Sequence, residues 1–235
     1  YARRMMIDTL RLGLPLASEA LFTHNMKAFL EMLSWVAIGA RSTEDQEHRI
    51  FASALNCPVG MKNPTHGDLT IAVNGLIAAQ HPHIAVFDGN EVETHGNEYA
   101  HLVLRGANKQ PNYDLATLEN AIALMHRQQI KNPALIIDAS HDNSLYHGKK
   151  EYRHQPQVIW SVLDSIQNHH QLKPYVKGFM IESFIKAGHQ HIAPGQDQPI
   201  DMGGLSITDP CLDFAETAAL LLDIDQYQRQ SHHAR

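Results

Sequence analysis

Cysteine is scarce in this chain of 235 residues, which contains only Cys57 and Cys211. The two cysteines lie far apart and form no CxxC pair, so the pattern excludes a disulfide framework and a cysteine-rich zinc site. Chains with so few cysteines are typical of reducing compartments, and we therefore expect a cytoplasmic protein. Cys57 opens a predicted strand and Cys211 begins a predicted helix, and both are interpreted as structural residues.

Long apolar runs and an excess of basic residues are also missing. No stretch is apolar over a length that would predict a membrane span or a secretion signal. The formal net charge is −6, so the composition provides no broadly basic surface for nucleic acid. We expect neither nucleic acid nor a membrane as partner, and any cations that bind a substrate must be gathered locally.

Short apolar segments alternate with amphipathic ones, which predicts parallel strands joined by helical crossovers. The predicted strands are Trp35–Arg41, Cys57–Lys62, Ile84–Phe87, His101–Arg105, Ala134–Ala139 and Val176–Glu182, with Leu14–Ala20 as a further apolar run. The predicted helices are Ala2–Leu12, Asn25–Leu33, Glu44–Leu55, Asp68–Ala79 with Asp68 as its cap, Asp114–Gln128, Gln155–His169 and Cys211–Leu222. The polar segment Asp88–Glu98 is predicted to be a loop or a hairpin, and Gly188–Leu205 is predicted to be an ordered loop.

This order of elements predicts one α/β domain over residues 1–235. About six of the strands fit a TIM-type (β/α)8 barrel, which closes with eight strands. The chain begins in a helix-like segment with no leading strand. We therefore expect a single barrel domain that is incomplete at its N-terminus.

Five apolar runs end in a charged or metal-capable residue, namely Arg41, Lys62, Arg105, His141 and Glu182. In a parallel barrel the C-terminal ends of the strands converge on one mouth, where the chemistry takes place. Apolar strands of any α/β protein exit into polar loops, which explains any one of these runs but less easily all five. The pattern indicates a polyanionic substrate held beside a metal ion.

Arg41, Lys62 and Arg105 are the candidate anion ligands. A guanidinium binds phosphate or carboxylate through two parallel hydrogen bonds, and a lysine adds a compact charge. A structural salt bridge is the alternative for any single one of these residues, whereas three together favour substrate binding. Glu19, near the end of the apolar run Leu14–Ala20, is a carboxylate that can orient one of the cations.

His141, Glu182 and Asp209 are the candidate metal ligands. Imidazole and carboxylate groups suit Mn²⁺, Fe²⁺, Co²⁺ or Zn²⁺, and residues from separate strand ends can meet in space. Their spacing forms no local metal-binding motif. A capping or hydrogen-bonding role for His141 is therefore an open alternative.

Six motif segments extend over nearly the whole chain. They are WVAIGARSTEDQEHR at 35–49, CPVGMKN at 57–63, HLVLRGANKQPNY at 101–113, IIDASHDNS at 136–144, MIES at 180–183 and SITDPC at 206–211. In these motifs and in their order, the chain resembles the type I 3-deoxy-D-arabino-heptulosonate 7-phosphate (DAHP) synthases.

The resemblance implies a metal-dependent transferase that condenses phosphoenolpyruvate with D-erythrose 4-phosphate. This is the first step of the shikimate pathway of aromatic amino-acid biosynthesis. The implied ligands of phosphoenolpyruvate are Arg41, Lys62 and Arg105, and from its strand-end position we expect Glu19 at the same substrate site. The implied ligands of a divalent metal ion are His141, Glu182 and Asp209. Lys62 and His141 are the implied catalytic residues, and a homo-oligomer is the implied assembly.

Two parts of the family pattern have no match in this sequence. Members of the family begin with a segment that supplies a cysteine metal ligand, followed by a Lys-Pro-Arg-Thr motif for substrate binding. Three functions therefore stay open. The chain is a DAHP synthase, a truncated non-catalytic paralogue or fragment that binds phosphorylated anions or assembles with other subunits, or an enzyme that condenses phosphoenolpyruvate with a different sugar aldehyde. The SITD and LRG segments fit the third function less well than the first.

Overall fold

The computed structural model describes residues 1–87, 89–193, 195 and 199–233, with backbone only for 231–233. Its strands are β1 (Leu16–Glu19), β2 (Leu33–Ile38), β3 (Val59–Lys62), β4 (Ile84–Phe87), β5 (Asn90–Glu93), β6 (His101–Leu104), β7 (Leu135–Asp138), β8 (Leu145–Tyr146), β9 (Lys149–Lys150) and β10 (Val176–Met180). Six of them form one sheet in the order β1-β2-β3-β6-β7-β10, and every neighbouring pair is parallel.

Helices connect most of these strands. They are α1 (Ala2–Arg11), α2 (Gln46–Ala54), α3 (Leu69–Gln80), α4 (Leu115–Arg127), α5 (Gln155–Asn168) and α6 (Phe214–His233). The side chains of Asp45, Asp68 and Asp114 accept hydrogen bonds from first-turn amides of α2, α3 and α4. An aspartate at this position satisfies amide groups that have no partner inside the helix. The prediction that Asp68 caps its helix is confirmed.

The centre of the sheet is buried on both faces. All residues of β3 and β6 are buried, as expected of parallel strands that helices cover. The indole of Trp35 lies so close to Gly60 that any Cβ there would clash with the ring. The glycine therefore lets the Trp35 ring pack directly against β3.

Several predicted boundaries are wrong. The closing helix, predicted over Cys211–Leu222, begins only at Phe214 and extends to His233, so Cys211 lies before it. The segment Asn25–Leu33 forms two short 3₁₀ helices, Thr23–Ala28 and Leu30–Met32, and Leu33 already belongs to β2. Its apolar side chains recur every three residues, at Met26, Phe29 and Met32, which is the period of a 3₁₀ helix. Strand β2 also ends at Ile38, so Arg41 lies three residues beyond the strand rather than at its end.

Two antiparallel hairpins interrupt the parallel pattern. Strands β4 and β5 pair from Ile84–Glu93 to Phe87–Asn90, which confirms a hairpin excursion within the predicted segment, although Asp88 lies outside the described residues. Strands β8 and β9 form a second hairpin between β7 and α5. The predicted loop Gly188–Leu205 has no helix or strand in its described residues, and Pro194 and 196–198 lie outside them.

Strands β1 and β10 are the two edges of the sheet that the described residues form. These residues therefore show the six-stranded parallel part of the predicted α/β fold, and closure into an eight-stranded barrel stays a prediction. Across the described part of the chain, no helix combines the length and the apolar character needed to cross a membrane.

Candidate active site

The C-terminal ends of the parallel strands bring most of the predicted site residues to one edge of the sheet. Glu19 is the last residue of β1, Lys62 is the last residue of β3, and Arg105 directly follows β6. Asp138 ends β7, and Glu182 lies two residues beyond β10. Because all these strands run in the same direction, their final residues face a common site.

Lys62 is buried at the centre of this edge. Its ammonium nitrogen lies 3.6 Å from Oε2 of Glu19 and 3.6 Å from Oδ2 of Asp138. Both distances are longer than a hydrogen bond, so the N–H groups of Lys62 have no acceptor among the described residues. The two carboxylates balance its charge while leaving these donors available to an anionic ligand.

Asp138 is fully buried between Lys62 and the ring of His141. Nδ1 of His141 lies 3.0 Å from Oδ2 of Asp138, without the angle of a good hydrogen bond. Burial raises the pKa of the Asp138 carboxyl, but the His141 ring and the Lys62 ammonium lower this pKa by more, so it lies below its ordinary value. The carboxylate at Nδ1 leaves Nε2 of His141 as the nitrogen that faces Glu182, 3.5 Å from its Oε1.

His141, Glu182 and Asp209 converge on one point. One ligand atom from each of the three residues lies within 4.8 Å of the other two. Burial raises the pKa of the Glu182 carboxyl, and the charges of Asp209 and Asp138 raise this pKa further against the opposing effects of His141 and Ser140. Oε2 of Glu182 is buried and has no hydrogen-bond partner in the described residues. An imidazole and two carboxylates that lie close together, with one buried carboxylate oxygen unbonded, fit a divalent cation.

Neighbouring side chains contact the backbone of Glu182 and the carboxylate of Asp209. Gln155, a fully buried residue, donates from Nε2 to the backbone oxygen of Glu182 at 3.0 Å and accepts from its backbone nitrogen at 2.8 Å. Lys150 on β9 donates to Oδ1 of Asp209 at 3.3 Å. The two hydrogen bonds of Gln155 fix the backbone at Glu182, and contacts outside the ligand set of a metal site orient its ligands in this way.

The two arginines differ in their surroundings. Arg105 is buried, with a relative exposure of 8%, yet its guanidinium makes no hydrogen bond or ion pair with a described residue. A buried charge without a partner is unfavourable, so this guanidinium is suited to receive an anion. Arg41 is exposed in the turn after β2, and it makes no hydrogen bond or ion pair with a described residue.

Several site residues were missed at the level of sequence. Asp138 had a detectable signal, because it is a carboxylate at the end of a predicted strand and precedes the candidate ligand His141. Gln155 and Lys150 had none, because their partners lie 27 and 59 residues away in sequence. The buried asparagines of the same edge were also missed.

Both cysteines are free thiols. Cys57 is partly buried against the core, and Cys211 is buried with Sγ 3.4 Å from the backbone oxygen of Asp209. Burial raises the pKa of both thiols, which keeps them in the unreactive protonated form. Their surroundings are consistent with the structural role expected from the sequence.

Comparison with known proteins finds a consistent set of relatives. The sequence profile of the DAHP synthetase I family matches residues 5–221. The Tyr-sensitive phospho-2-dehydro-3-deoxyheptonate aldolase of Salmonella typhimurium is 39% identical over 230 residues, which cover 95% of this chain and 61% of that protein. The phospho-2-dehydro-3-deoxyheptonate aldolase of Corynebacterium glutamicum is 36% identical, covering 99% of this chain and 63% of that protein.

A solved structure gives the same result. The phospho-2-dehydro-3-deoxyheptonate aldolase of Francisella tularensis superposes with a TM-score of 0.81 at 33% identity, covering 94% of this chain and 62% of that chain. The present chain spans less than two thirds of the length of each of these relatives. Since both the sequence profile and the relatives extend over nearly all of it, the chain belongs to the DAHP synthetase I family.

Proposed function

We propose that this protein is a metal-dependent DAHP synthase, which condenses phosphoenolpyruvate with D-erythrose 4-phosphate. In this reaction a carbon–carbon bond forms between the enol carbon of phosphoenolpyruvate and the aldehyde carbon. Water adds to the central carbon of the donor, and its phosphate leaves. The observation that carries the proposal is the pair of buried cations with free donors, Lys62 and Arg105, beside the cluster of His141, Glu182 and Asp209.

The cations account for the recognition of phosphoenolpyruvate. This donor carries a carboxylate and a phosphate, and the Arg105 guanidinium can bind either group through two parallel hydrogen bonds. Lys62 offers N–H donors that no described protein acceptor uses, and its charge stabilises the phosphate as it departs. Glu19 holds the Lys62 ammonium on the side of β1, at 3.6 Å. Arg41 adds a third positive charge at the exposed rim of the site.

The donor atoms of His141, Glu182 and Asp209 would hold the metal ion. A divalent ion bound there supplies Lewis-acid polarisation of a carbonyl oxygen, and Mn²⁺, Fe²⁺, Co²⁺ and Zn²⁺ all accept this set of donors. Asp138, at 3.0 Å from Nδ1 of His141, keeps the ring oriented with Nε2 toward Glu182. The metal-binding role of each residue, closure into an eight-stranded barrel, the homo-oligomer and the cytoplasmic location are likewise proposals that follow from membership of the family.

Calorimetric titration with phosphoenolpyruvate in the presence of Mn²⁺ tests this function. Arg105→Ala should weaken binding by about 1.5–3 kcal/mol, because a charge-assisted contact is lost. Arg127→Ala is the matched control, since it removes the same charge from an exposed position on α4. Equal affinities for the two folded variants would remove Arg105 from the substrate site.

Exposed apolar side chains favour a second candidate, a non-catalytic subunit that assembles with other chains. Leu12, Leu14, Leu21 and Phe22 flank the edge strand β1, and each is at least half exposed. Apolar groups beside an open strand edge favour pairing with a further chain or segment. Release of phosphate when both substrates are supplied separates the candidates, because a non-catalytic subunit binds phosphoenolpyruvate without releasing phosphate.

A further inference from the structure

Three asparagines at the C-terminal edge of the sheet form one buried hydrogen-bonded network. They lie in the motif segments whose charged residues form the proposed site. Asn63 follows Lys62 directly, Asn112 lies seven positions after Arg105, and Asn143 lies two positions after His141. Asn63 is fully buried, and Asn143 has a relative exposure of 1%.

The side chain of Asn63 uses its full capacity for hydrogen bonding. Nδ2 donates to the backbone oxygens of Pro64 at 2.9 Å and Gly106 at 3.1 Å. Oδ1 accepts from the backbone nitrogen of Arg105 at 2.9 Å and from Nδ2 of Asn112 at 3.0 Å. A primary amide has two donors and two acceptor sites, so Asn63 uses all four and binds the backbone nitrogen of Arg105 and the backbone oxygen of Gly106.

Asn112 and Asn143 continue the network to the next strand. Oδ1 of Asn112 accepts from the backbone nitrogen of Gly106 at 2.7 Å. The backbone nitrogen of Asn112 donates to Oδ1 of Asn143 at 2.8 Å. Nδ2 of Asn143 donates to the backbone oxygens of Leu104 at 3.1 Å and Asp138 at 2.8 Å. The network therefore joins the ends of β3, β6 and β7.

The position of the network follows from the end of the sheet. Paired residues of β3 and β6 extend to Lys62 and Val103, and those of β6 and β7 extend to Leu104 and Ile137. Buried backbone groups beyond these pairs still require partners, and the asparagine amides supply them. Gly106 has a φ of 73°, and a Cβ there would overlap the backbone of Asn143, so the chain packs tightly at this point.

We propose that Asn63, Asn112 and Asn143 are positioning residues that fix the backbone of Arg105 and hold its guanidinium at the anion site. This inference rests on the proposed function of Arg105. Amides are neutral, so they orient the arginine without compensating its charge. An aspartate at position 63 has no N–H donors, so it could not bind the backbone oxygens of Pro64 and Gly106.

Alanine variants of two members and a matched control test the proposal. Asn63→Ala removes the central amide, and Asn112→Ala is a milder change because this side chain is only partly buried. The control is Asn97→Ala at the opposite edge of the sheet, where a buried amide likewise donates to backbone oxygens, at 3.1 Å to Leu55 and 2.8 Å to Cys57. The readouts are melting temperature, affinity for phosphoenolpyruvate by calorimetry, and hydrogen–deuterium exchange of the peptide that contains Arg105.

We expect both network variants to weaken phosphoenolpyruvate binding by about tenfold, the effect of one to two lost hydrogen bonds, and to speed exchange at Arg105. Asn97→Ala should lower the melting temperature about as much as the network variants do, because it also removes a buried, hydrogen-bonded amide. It should change the affinity for phosphoenolpyruvate by less than about twofold. Unchanged exchange at Arg105, or affinity losses that follow melting temperature equally in all three variants, would overturn the proposal.

The exchange measurement separates this proposal from the proposed function. If the wild-type chain binds no phosphoenolpyruvate, the function of Arg105 as its ligand is wrong. Faster exchange at Arg105 in both network variants, but not in Asn97→Ala, would then still support the positioning role. Equal exchange in all variants would refute it.

Discussion

The edge where the parallel strands begin and the edge where they end differ in the hydrogen bonding of their buried polar side chains. At the edge where the strands begin, the buried amides of Gln80 and Asn97 are paired with backbone groups. At the edge where the strands end, saturated amides such as Asn63 lie beside buried charges and buried atoms without a hydrogen-bond partner. In the described residues, the buried side-chain atoms without a hydrogen-bond partner belong to Thr43, His48, Asp138, His141 and Glu182.

The buried amides at the starting edge connect separate segments of the backbone. Nε2 of Gln80 donates to the backbone oxygen of Lys131 at 2.8 Å, and Oε1 accepts from the backbone nitrogen of the same residue at 2.9 Å. Asn97 joins the segments before β3 and β6 in the same manner, through the backbone of Cys57 and Tyr99. Neutral and saturated groups stabilise the fold and leave nothing for a ligand.

The final edge differs because unpaired buried atoms are present there beside the saturated amides. Each orphaned atom lies at the end of a strand, in the segment after it, or in the first turn of the helix that follows. Unmet polar groups are unfavourable in the free chain and become favourable when a ligand meets them. The comparison teaches that, among the described residues, the unmet polar groups suited to ligand binding lie at one end of the strands, an arrangement that is also known in barrel proteins.

The strongest test of this separation is a double-mutant cycle on the buried pair of Lys62 and Asp138. Asp138→Leu should lower the free energy of unfolding by about 3–5 kcal/mol, because it leaves a buried ammonium with only the partly exposed Glu19. Lys62→Met combined with Asp138→Leu should cost less than the sum of the two single changes. Urea unfolding measures all four proteins, and additive losses would show that the two charges do not depend on each other.

The starting edge should carry pH-dependent stability. His101 is buried, accepts from Nε1 of Trp35 at 3.0 Å and contacts the Tyr99 backbone oxygen at 2.9 Å. Burial lowers the pKa of this imidazole below its ordinary value. The unfolded chain therefore takes up a proton first, and the stability that neutral His101 provides is full above about pH 6.5 and is lost as the pH falls below it.

Replacing His101 by glutamine isolates this contribution. Between about pH 7.5 and 5.5, the free energy of unfolding should fall more in the wild-type chain than in His101→Gln, by an amount below the loss in Asp138→Leu. Urea unfolding followed by tryptophan fluorescence provides the measurement. Equal pH dependence of the two proteins would exclude His101 as the source.

The smallest predicted effect concerns Lys150, which contacts Asp209 at 3.3 Å with both side chains partly exposed. This ammonium competes with a metal ion for the carboxylate, so Lys150→Met should strengthen Mn²⁺ binding by about two- to fivefold, the range of an exposed ion pair. Lys149→Met is the control on the same strand. Electron paramagnetic resonance of free Mn²⁺ measures the affinity, and weaker binding by Lys150→Met would mean that the lysine orients Asp209 instead.

Local sequence patterns predicted the charged residues of the site, but they did not predict the amide contacts that support them. Strand-end charges such as Lys62 and Arg105 were detectable because each follows its own apolar run, and parallel pairing then gathers them without further information. The roles of Asn63 and Gln155 could not be predicted, because an amide acquires its partners only when distant strand ends meet. The segment Asn25–Leu33 was mistaken for an α-helix because spacings of three and four residues are hard to distinguish over so short a stretch.

The backbone at His141 has a consequence for engineering. Its φ of 53° lies in the left-handed region, which costs an ordinary side chain about 1–2 kcal/mol and which glycine or asparagine enters more readily. A library of variants selected only for resistance to heat would therefore enrich those two residues at position 141 and discard the imidazole. Directed evolution of this chain must apply selection for ligand binding at every round, because thermal selection alone would remove the proposed metal site.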